Sequence, residues 1–241
     1  MLEHDHSHAP DAIRDRLAKG PKPNYMREWV YGGIDGIVTT FAIVAGVTGA
    51  SLSPAIVIIL GIANLIGDGF SMAAGAYSSA RTDEDIYERL REIENNHIDN
   101  NPDGEKEEIR QIYAAKGFQG KDLERVVDVV SQNRNAWIDV MMQEEYGVSQ
   151  TLKPPHKTGL HTFGAFVLCG AVPLLPYAFA LPHAFYLALC LSALTFFGIG
   201  SVKSRWSVHT WWRQGMETLI IGIAAAGLAF LIGYFLRGLG L

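Results

Sequence analysis

Cysteine is nearly missing from this sequence: there are two residues, Cys169 and Cys190, both inside apolar stretches. Neither a disulfide framework nor a thiolate zinc site can be built from such a pair. A basic surplus is missing too. Lys and Arg number 20 against 25 Asp and Glu, for a net charge of −5, and no basic stripe is present, so nucleic acid is not an expected partner. No G-x-x-x-x-G-K-[ST] loop occurs, which leaves ATP-driven chemistry without a seat. The first 28 residues are polar, and no cleavable signal peptide is expected. Most telling, there is no ionisable residue anywhere between Gly36 and Gly67.

That uncharged run is too long for one membrane crossing. As a single helix it would extend about 48 Å, against roughly 30 Å of hydrocarbon. Two spans are therefore predicted, turning at Ser51-Leu52-Ser53-Pro54, with proline opening the second. Asp35 and Asp68 stand at the two edges of the run. An acid at membrane depth is costly and usually faces a cavity, a partner or an ion.

Apolar runs predict five spans, near 28–50, 54–80, 159–181, 184–202 and 215–236. The tail of the second stays uncharged as far as Arg81, so that helix is expected to run on beyond the membrane. Between the second and third spans lies an acidic segment holding 17 of the 25 acids. The expected division is a leader (1–27), spans one and two (28–80), an acidic helical domain (81–157), and spans three to five (158–241). The leader carries His4, His6 and His8, a mobile tail or a weak metal-capture cluster, then DAIRDRLAK, which fits a short amphipathic surface helix. Basic residues mark the leader (Arg14, Arg16, Lys19, Lys22, Arg27) and the connector KSRWSVHTWWRQ (Lys203, Arg205, Arg213). The turns near Ser51 and Pro182 have none. The positive-inside rule then puts the leader, the acidic domain and the connector in the cytoplasm.

Several side chains suit a divalent cation. Asn64, Asp68 and Met72 share one helical face, as do Asp35 and Thr39. In the acidic segment a helix ending near Ile98, a turn at DNNPDG, and helices over EKEEIRQIYAAK, KDLERVVDVVSQ and NAWIDVMMQEEYG are expected, with Gly117 and Gly147 as C-caps. Glu94 with His97, Glu105 with Glu108, and Met142 with Glu145 each stand at i,i+3 and project from one side of a helix. The plain alternatives are ordinary packing for Met72, a tied carboxylate for Asp35 and Asp68, and a macrodipole-matched first turn for Glu105, Glu107 and Glu108. Taken together on one short acidic domain, metal binding is the stronger reading. Carboxylate, imidazole and thioether without thiolate favour ferrous iron, manganese or cobalt over zinc or copper. Glu217, early in the fifth span, is either a proton site or a snorkelling partner of Arg213. Gly32–Gly36, Gly46–Ala50 and the small residues of Ala73–Ala80 allow close helix contact, in a dimer or a tight pore wall.

Five separated stretches, REWVYGGIDGIVTTFAIVAG, ANLIGDGFSMAAGAY, HIDNNPDGEKEEIRQIYAAKGF, WIDVMMQEEYG and CGAVPLLPY, resemble the vacuolar iron transporter family over about residues 25–240. The resemblance implies an all-α membrane protein with five transmembrane helices and a cytoplasmic helical metal-binding domain inserted between spans two and three. It also implies a homodimer that exports ferrous iron from the cytoplasm in exchange for protons. The membrane would be the inner membrane of a prokaryotic cell, or a vacuolar-type membrane as in plant and fungal relatives. Asp35 and Met72 match the family's transport acid and methionine. Glu105, Glu108 and Glu145 match its cytoplasmic metal-binding glutamates, with Glu144 as neighbour to the last, and Met141 and Met142 match its methionine pair. An ungapped reading places the remaining ligands at Glu94 and His97, putting an imidazole where the family has a carboxylate. A gapped reading places them at Glu88 and Glu92. The rivals are a membrane-tethered metal buffer or sensor, a di-iron oxidase, and a channel without proton coupling. The oxidase would need Glu-x-x-His pairs on facing helices, and the acidic segment offers one.

Overall fold

The computed structural model describes residues 7–149 and 151–237, and among these every regular element is a helix. Two of the three leader histidines, His4 and His6, lie outside the described residues. The helices are α1 (Pro10–Lys19), α2 (Met26–Gly49), α3 (Pro54–Asn100), α4 (Pro102–Ala115), α5 (Gly120–Ser131), α6 (Arg134–Glu144), α7 (Pro155–Ala171), α8 (Leu175–Ala178), α9 (Ala184–Lys203) and α10 (Trp211–Arg237). They form two compact units, one of residues up to Ser78 and from Lys153 on, the other Ser79–Leu152.

Five helical stretches are long and apolar enough to cross a membrane: Met26–Gly49, Pro54–Asn100, Pro155–Ala178, Ala184–Trp206 and Trp211–Arg237. In the first unit α2 is the central helix. Half of its most apolar stretch is buried inside the protein, against 11% for α10. Its inward residues Ile37, Phe41, Val44 and Ala45 pack with Phe166 of α7, Phe196 of α9 and Ala226 of α10. The outward residues of the other helices, such as Ile62, Ile66, Phe70, Leu160, Leu194, Ile220 and Phe235, are exposed. So much exposed apolar surface suits lipid, not water.

The span boundaries move where proline and capping act. The expected opening of α3 at Pro54 is found, after a turn in which Ser51 takes a left-handed backbone (φ 58°). The third span begins at Pro155, four residues before its predicted start. It breaks at Ala171 into a short 3-10 turn and then α8, because Pro173 and Pro176 cannot donate to the preceding turn. The fifth begins at Trp211, four residues before its predicted start. There the Thr210 carbonyl accepts from the backbone N–H of Arg213 and Gln214, so the last third of the expected connector, Trp211–Gln214, belongs to the helix.

The predicted close-contact glycines of α2 are consumed inside the chain, whereas Gly75, in the small-residue stretch of α3, meets nothing. A β-carbon at Gly36 would run into the Phe166 backbone of α7, and one at Gly233 would meet the Gly46 backbone of α2. These glycines let α7 and α10 close on α2, and so give no evidence of a dimer. Gly36→Leu is expected to force α2 from α7 and to cost about 1–3 kcal/mol or more, the usual penalty for overpacking. A lower melting temperature of the purified variant checks this.

In the second unit, α3 continues without interruption to Asn100, and the predicted turn at DNNPDG shrinks to Asn101. The Asn101 side chain accepts from the Gly104 N–H at 3.3 Å, and Pro102 occupies the first turn of α4, where its missing N–H costs nothing. Helix α4 ends in the expected glycine cap. Gly117 has φ 97°, its N–H reaches the Ala114 carbonyl, and the Phe118 N–H reaches that of Tyr113. The Tyr113 and Phe118 rings close over this cap edge to face, their centroids 5.6 Å apart. Asn133 caps α6 by accepting from the Ala136 N–H. Beyond α6, Gly147 takes a positive φ of 65°. Ile98, Ile109, Val127, Trp137, Ile138, Met141 and Met142 make the core of this unit.

Candidate metal centre

The second unit gathers acids that elementary electrostatics would keep apart. Glu94 and His97 leave α3 one turn apart on the same side, and the start of α4 brings Glu105 to meet them. One ligand atom from each lies within 4.8 Å of the others. His97 Nδ1 is 3.5 Å from Glu105 Oε1. Glu94 is fully buried and Glu105 nearly so, while His97 is exposed at the rim. Glu94 Oε1 and Glu105 Oε2 are buried with no hydrogen-bond partner. Buried, unpaired carboxylate oxygens are expensive unless a proton or a cation joins them.

The fields in this cluster agree with the geometry. Burial, followed by the adjacent Glu105 carboxyl and the charges of Glu145 and Glu108, pushes the Glu94 carboxyl up to about 8. Burial and then Glu105 raise Glu108 above the usual carboxylate range. Burial and then Glu108 and Glu105 do the same to Glu145, with His97 opposing in both cases. Glu108 and Glu145 are thus electrostatic neighbours of the three-ligand cluster, on exposed positions.

The two competing sequence alignments separate here. The structure brings Glu94 and His97 to Glu105, whereas Glu88 and Glu92 sit at exposed positions outside the cluster. Glu144 is engaged elsewhere, in an ion pair with Lys116 at 2.8 Å. Met141 and Met142 are fully buried in the hydrophobic core of the unit. One participant escaped the sequence reading. Tyr146 donates its hydroxyl proton to Glu94 Oε2 at 3.4 Å, and burial together with Glu145 and Glu94 pushes its own hydroxyl up to about 12. Its neutral O–H therefore stays a donor throughout the physiological range. Tyr146→Phe is expected to weaken metal affinity about 10–100-fold, as loss of an orienting partner does, without unfolding the unit. Calorimetric titration with Mn2+ checks the affinity.

In the first unit the membrane helices hold a smaller polar group. Asn64 Nδ2 of α3 donates to Thr39 Oγ1 at 3.0 Å and to Thr40 Oγ1 at 3.3 Å, and Thr39 Oγ1 donates to the Asp35 carbonyl at 2.9 Å. Asp35 is half-buried and interacts electrostatically with Asp68 of α3. Asp35 also lines a cavity of about 700 Å³. Met72 packs against the hydrophobic core built around α2. Glu217 is exposed on α10. Below Asp35, the buried Glu28 of α2 accepts two hydrogen bonds from Lys153 Nζ, at 2.8 and 3.0 Å, a pairing the sequence reading did not anticipate.

A bundle of five apolar helices with an acid half-buried on the central one, joined to a helical unit that concentrates carboxylates and an imidazole, fits a multi-pass membrane protein that handles cations. The chain belongs to the VIT family, whose model matches residues 26–234. It is 34% identical to the vacuolar iron transporter of Toxoplasma gondii, over 89% of this chain and 75% of that one. It is also 34% identical to vacuolar iron transporter 1 of Arabidopsis thaliana (85% of this chain, 83% of that one) and to vacuolar iron transporter 2 of Oryza sativa subsp. japonica (85% of each).

Proposed function

We propose that this protein carries ferrous iron, and with it manganese and cobalt, across the membrane and out of the cytoplasm in exchange for protons. The observation that carries the reading is the Glu94–His97–Glu105 cluster, in a chain whose relatives are named iron transporters. Metal transport is the function those relatives support. The identity of the ion rests on the ligand chemistry, because carboxylate and imidazole without thiolate hold ferrous iron and manganese loosely enough to release them. Proton exchange rests on the acids. A carboxylate that holds a proton when the ion is absent releases it when the ion arrives.

The acidic unit (81–157 by sequence) works as a cytoplasmic collector, with Glu94, His97, Glu105, Glu108 and Glu145 around the ion. Asp35, with Asp68, Met72 and the Asn64–Thr39 pair, lines the passage between α2 and α3. The orientation follows from the basic leader and connector, both on the cytoplasmic side. The protein works as a homodimer in the lipid bilayer.

Expression in a host poisoned by excess iron tests this. The chelatable cytosolic iron seen by electron paramagnetic resonance falls with the wild type and stays high with Asp35→Asn. Equal falls with both would mean that the chain only binds the metal, as a tethered buffer would.

A further inference from the structure

The start of α2 is fastened to α7 by side chains that the passage does not use. Tyr25, Glu28 and Trp29 fall at i, i+3 and i+4, and so share one side of the chain. Trp29 Nε1 donates to His161 Nδ1 of α7 at 3.0 Å. The His161 ring stacks on Tyr25, with centroids 4.4 Å apart. Lys153, just ahead of α7, places Nζ 5.9 Å from the Tyr25 ring centroid while it holds the buried Glu28. Further along the same seam, Gly32 lies against the Thr162 backbone and Gly36 against that of Phe166. The glycines give the seam its closeness, and the bonds at this end give it a fastening.

We infer that His161 is a positioning residue: its neutral ring latches Trp29, and with it the start of α2, to α7, and a proton on Nδ1 opens that latch. The hydrogen bond itself fixes the state of the ring. An indole nitrogen only donates, so Nδ1 is bare and the ring proton sits on Nε2. A second proton has Nδ1 alone to go to, and there it points at the indole N–H. The imidazolium also joins Lys153 beside Tyr25, where the Glu28 carboxylate is already taken. On α7 itself Lys157 stands one turn earlier, Arg27 of α2 lines the cavity beside Asp35, and α3 meets α7 at Gly159 through Ala73 and Tyr77. Imidazole is the side chain that exchanges a proton over the range of cellular pH. Asp35 lies six residues beyond Trp29, a rise of about 9 Å, so the placing of this helix end bears on the acid. Under the transport reading, on which this second part rests, acid on the cytoplasmic side loosens α2 and slows ion passage.

The test reads the latch directly, by nuclear magnetic resonance of the full chain in detergent micelles with isotope-labelled tryptophan. Of the five indole N–H signals, that of Trp29 is the one removed by Trp29→Phe. In the wild type this signal moves upfield between about pH 8 and about pH 5, as the bond is lost. His161→Asn keeps an acceptor where Nδ1 stands but takes no proton, and its Trp29 signal stays in place. The inference is overturned if the wild-type signal ignores pH. It is overturned equally if the signal in His161→Asn moves as in the wild type, since Glu28, Lys153 or diffuse charge is then titrating. Ferrous uptake into vesicles, with pH lowered equally on both sides so that the gradient is constant, reads the second part. The wild type slows about fivefold at the acid end, the worth of one neutral hydrogen bond, and His161→Asn does not. Parallel pH profiles overturn it. If no vesicle takes up iron, the transport reading fails while the indole signal still decides the latch.

Discussion

Asp35→Asn is expected to reduce ferrous uptake into proteoliposomes to the level of protein-free vesicles, while metal affinity at the Glu94 cluster stays unchanged. The substitution keeps the size and shape of the side chain. It also keeps the backbone carbonyl that accepts from Thr39, and with it the link through Asn64 that ties α3 to α2. Only the charge is lost. An acid retained on the most buried membrane helix is costly, and such residues mark ion or proton paths. Without that charge an entering cation has Asp68 alone as a formal counter-charge in this part of the helix pair. The polar Asn64, Thr39 and Thr40 cannot replace it, because they carry no formal charge to offset that of the ion. Near-normal uptake by Asp35→Asn, measured alongside unchanged metal binding, would move the path away from α2.

The second large effect concerns stability. The free carboxyl of Glu94 has an ordinary value of 4.5, and in the folded unit it is pushed to about 8 by burial and by Glu105, Glu145 and Glu108. As pH rises past 4.5 the unfolded chain gives up this proton, while the folded unit holds it until about 8. The folded state therefore binds more protons across that window. Stability accordingly falls as pH rises from about 4.5 to about 8, by a few kcal/mol. The metal-free acidic unit should melt at progressively lower temperature over this range in calorimetric scans of the whole chain. Mn2+ replaces the proton, so its affinity rises over the same range and it returns the lost stability. Glu94→Gln should flatten the pH dependence and raise the melting temperature of the metal-free protein near pH 8, while weakening metal binding by more than about 100-fold, beyond what loss of an orienting partner costs. A metal-free protein whose melting temperature does not change with pH would show that Glu94 is not held protonated.

The five apolar helices were legible because a bilayer demands long uncharged runs, and the Ser51–Pro54 turn because one run was too long for a single crossing. The boundaries at Pro155, Ala171 and Trp211 were less so, since each depends on a local cap or a proline break that hydropathy averages away. Asp35 stood out as an isolated acid at the edge of an apolar run. The cluster was only half legible. Spacing of three or four along α3 admits both the Glu94–His97 and the Glu88–Glu92 readings, because a helix offers every residue some face. What selects Glu94 is the return of α4 after Asn101, which places Glu105 beside it, and that is a tertiary fact. Tyr146 was missed because a tyrosine after two glutamates reads as a packing residue until its hydroxyl is seen on Glu94. The glycines at 32, 36, 46 and 49 suggested close helix contact, in a dimer or a tight pore wall, and α7 and α10 supply such contact within one chain.

The most direct measurement is ferrous entry into sealed proteoliposomes recorded together with luminal pH, for the wild-type chain under an imposed gradient that is acidic inside. Iron that accumulates in the lumen as luminal protons leave, and that stops accumulating when the gradient is abolished, is the result this account predicts. Iron that binds to the outside of the vesicles and never enters would contradict it.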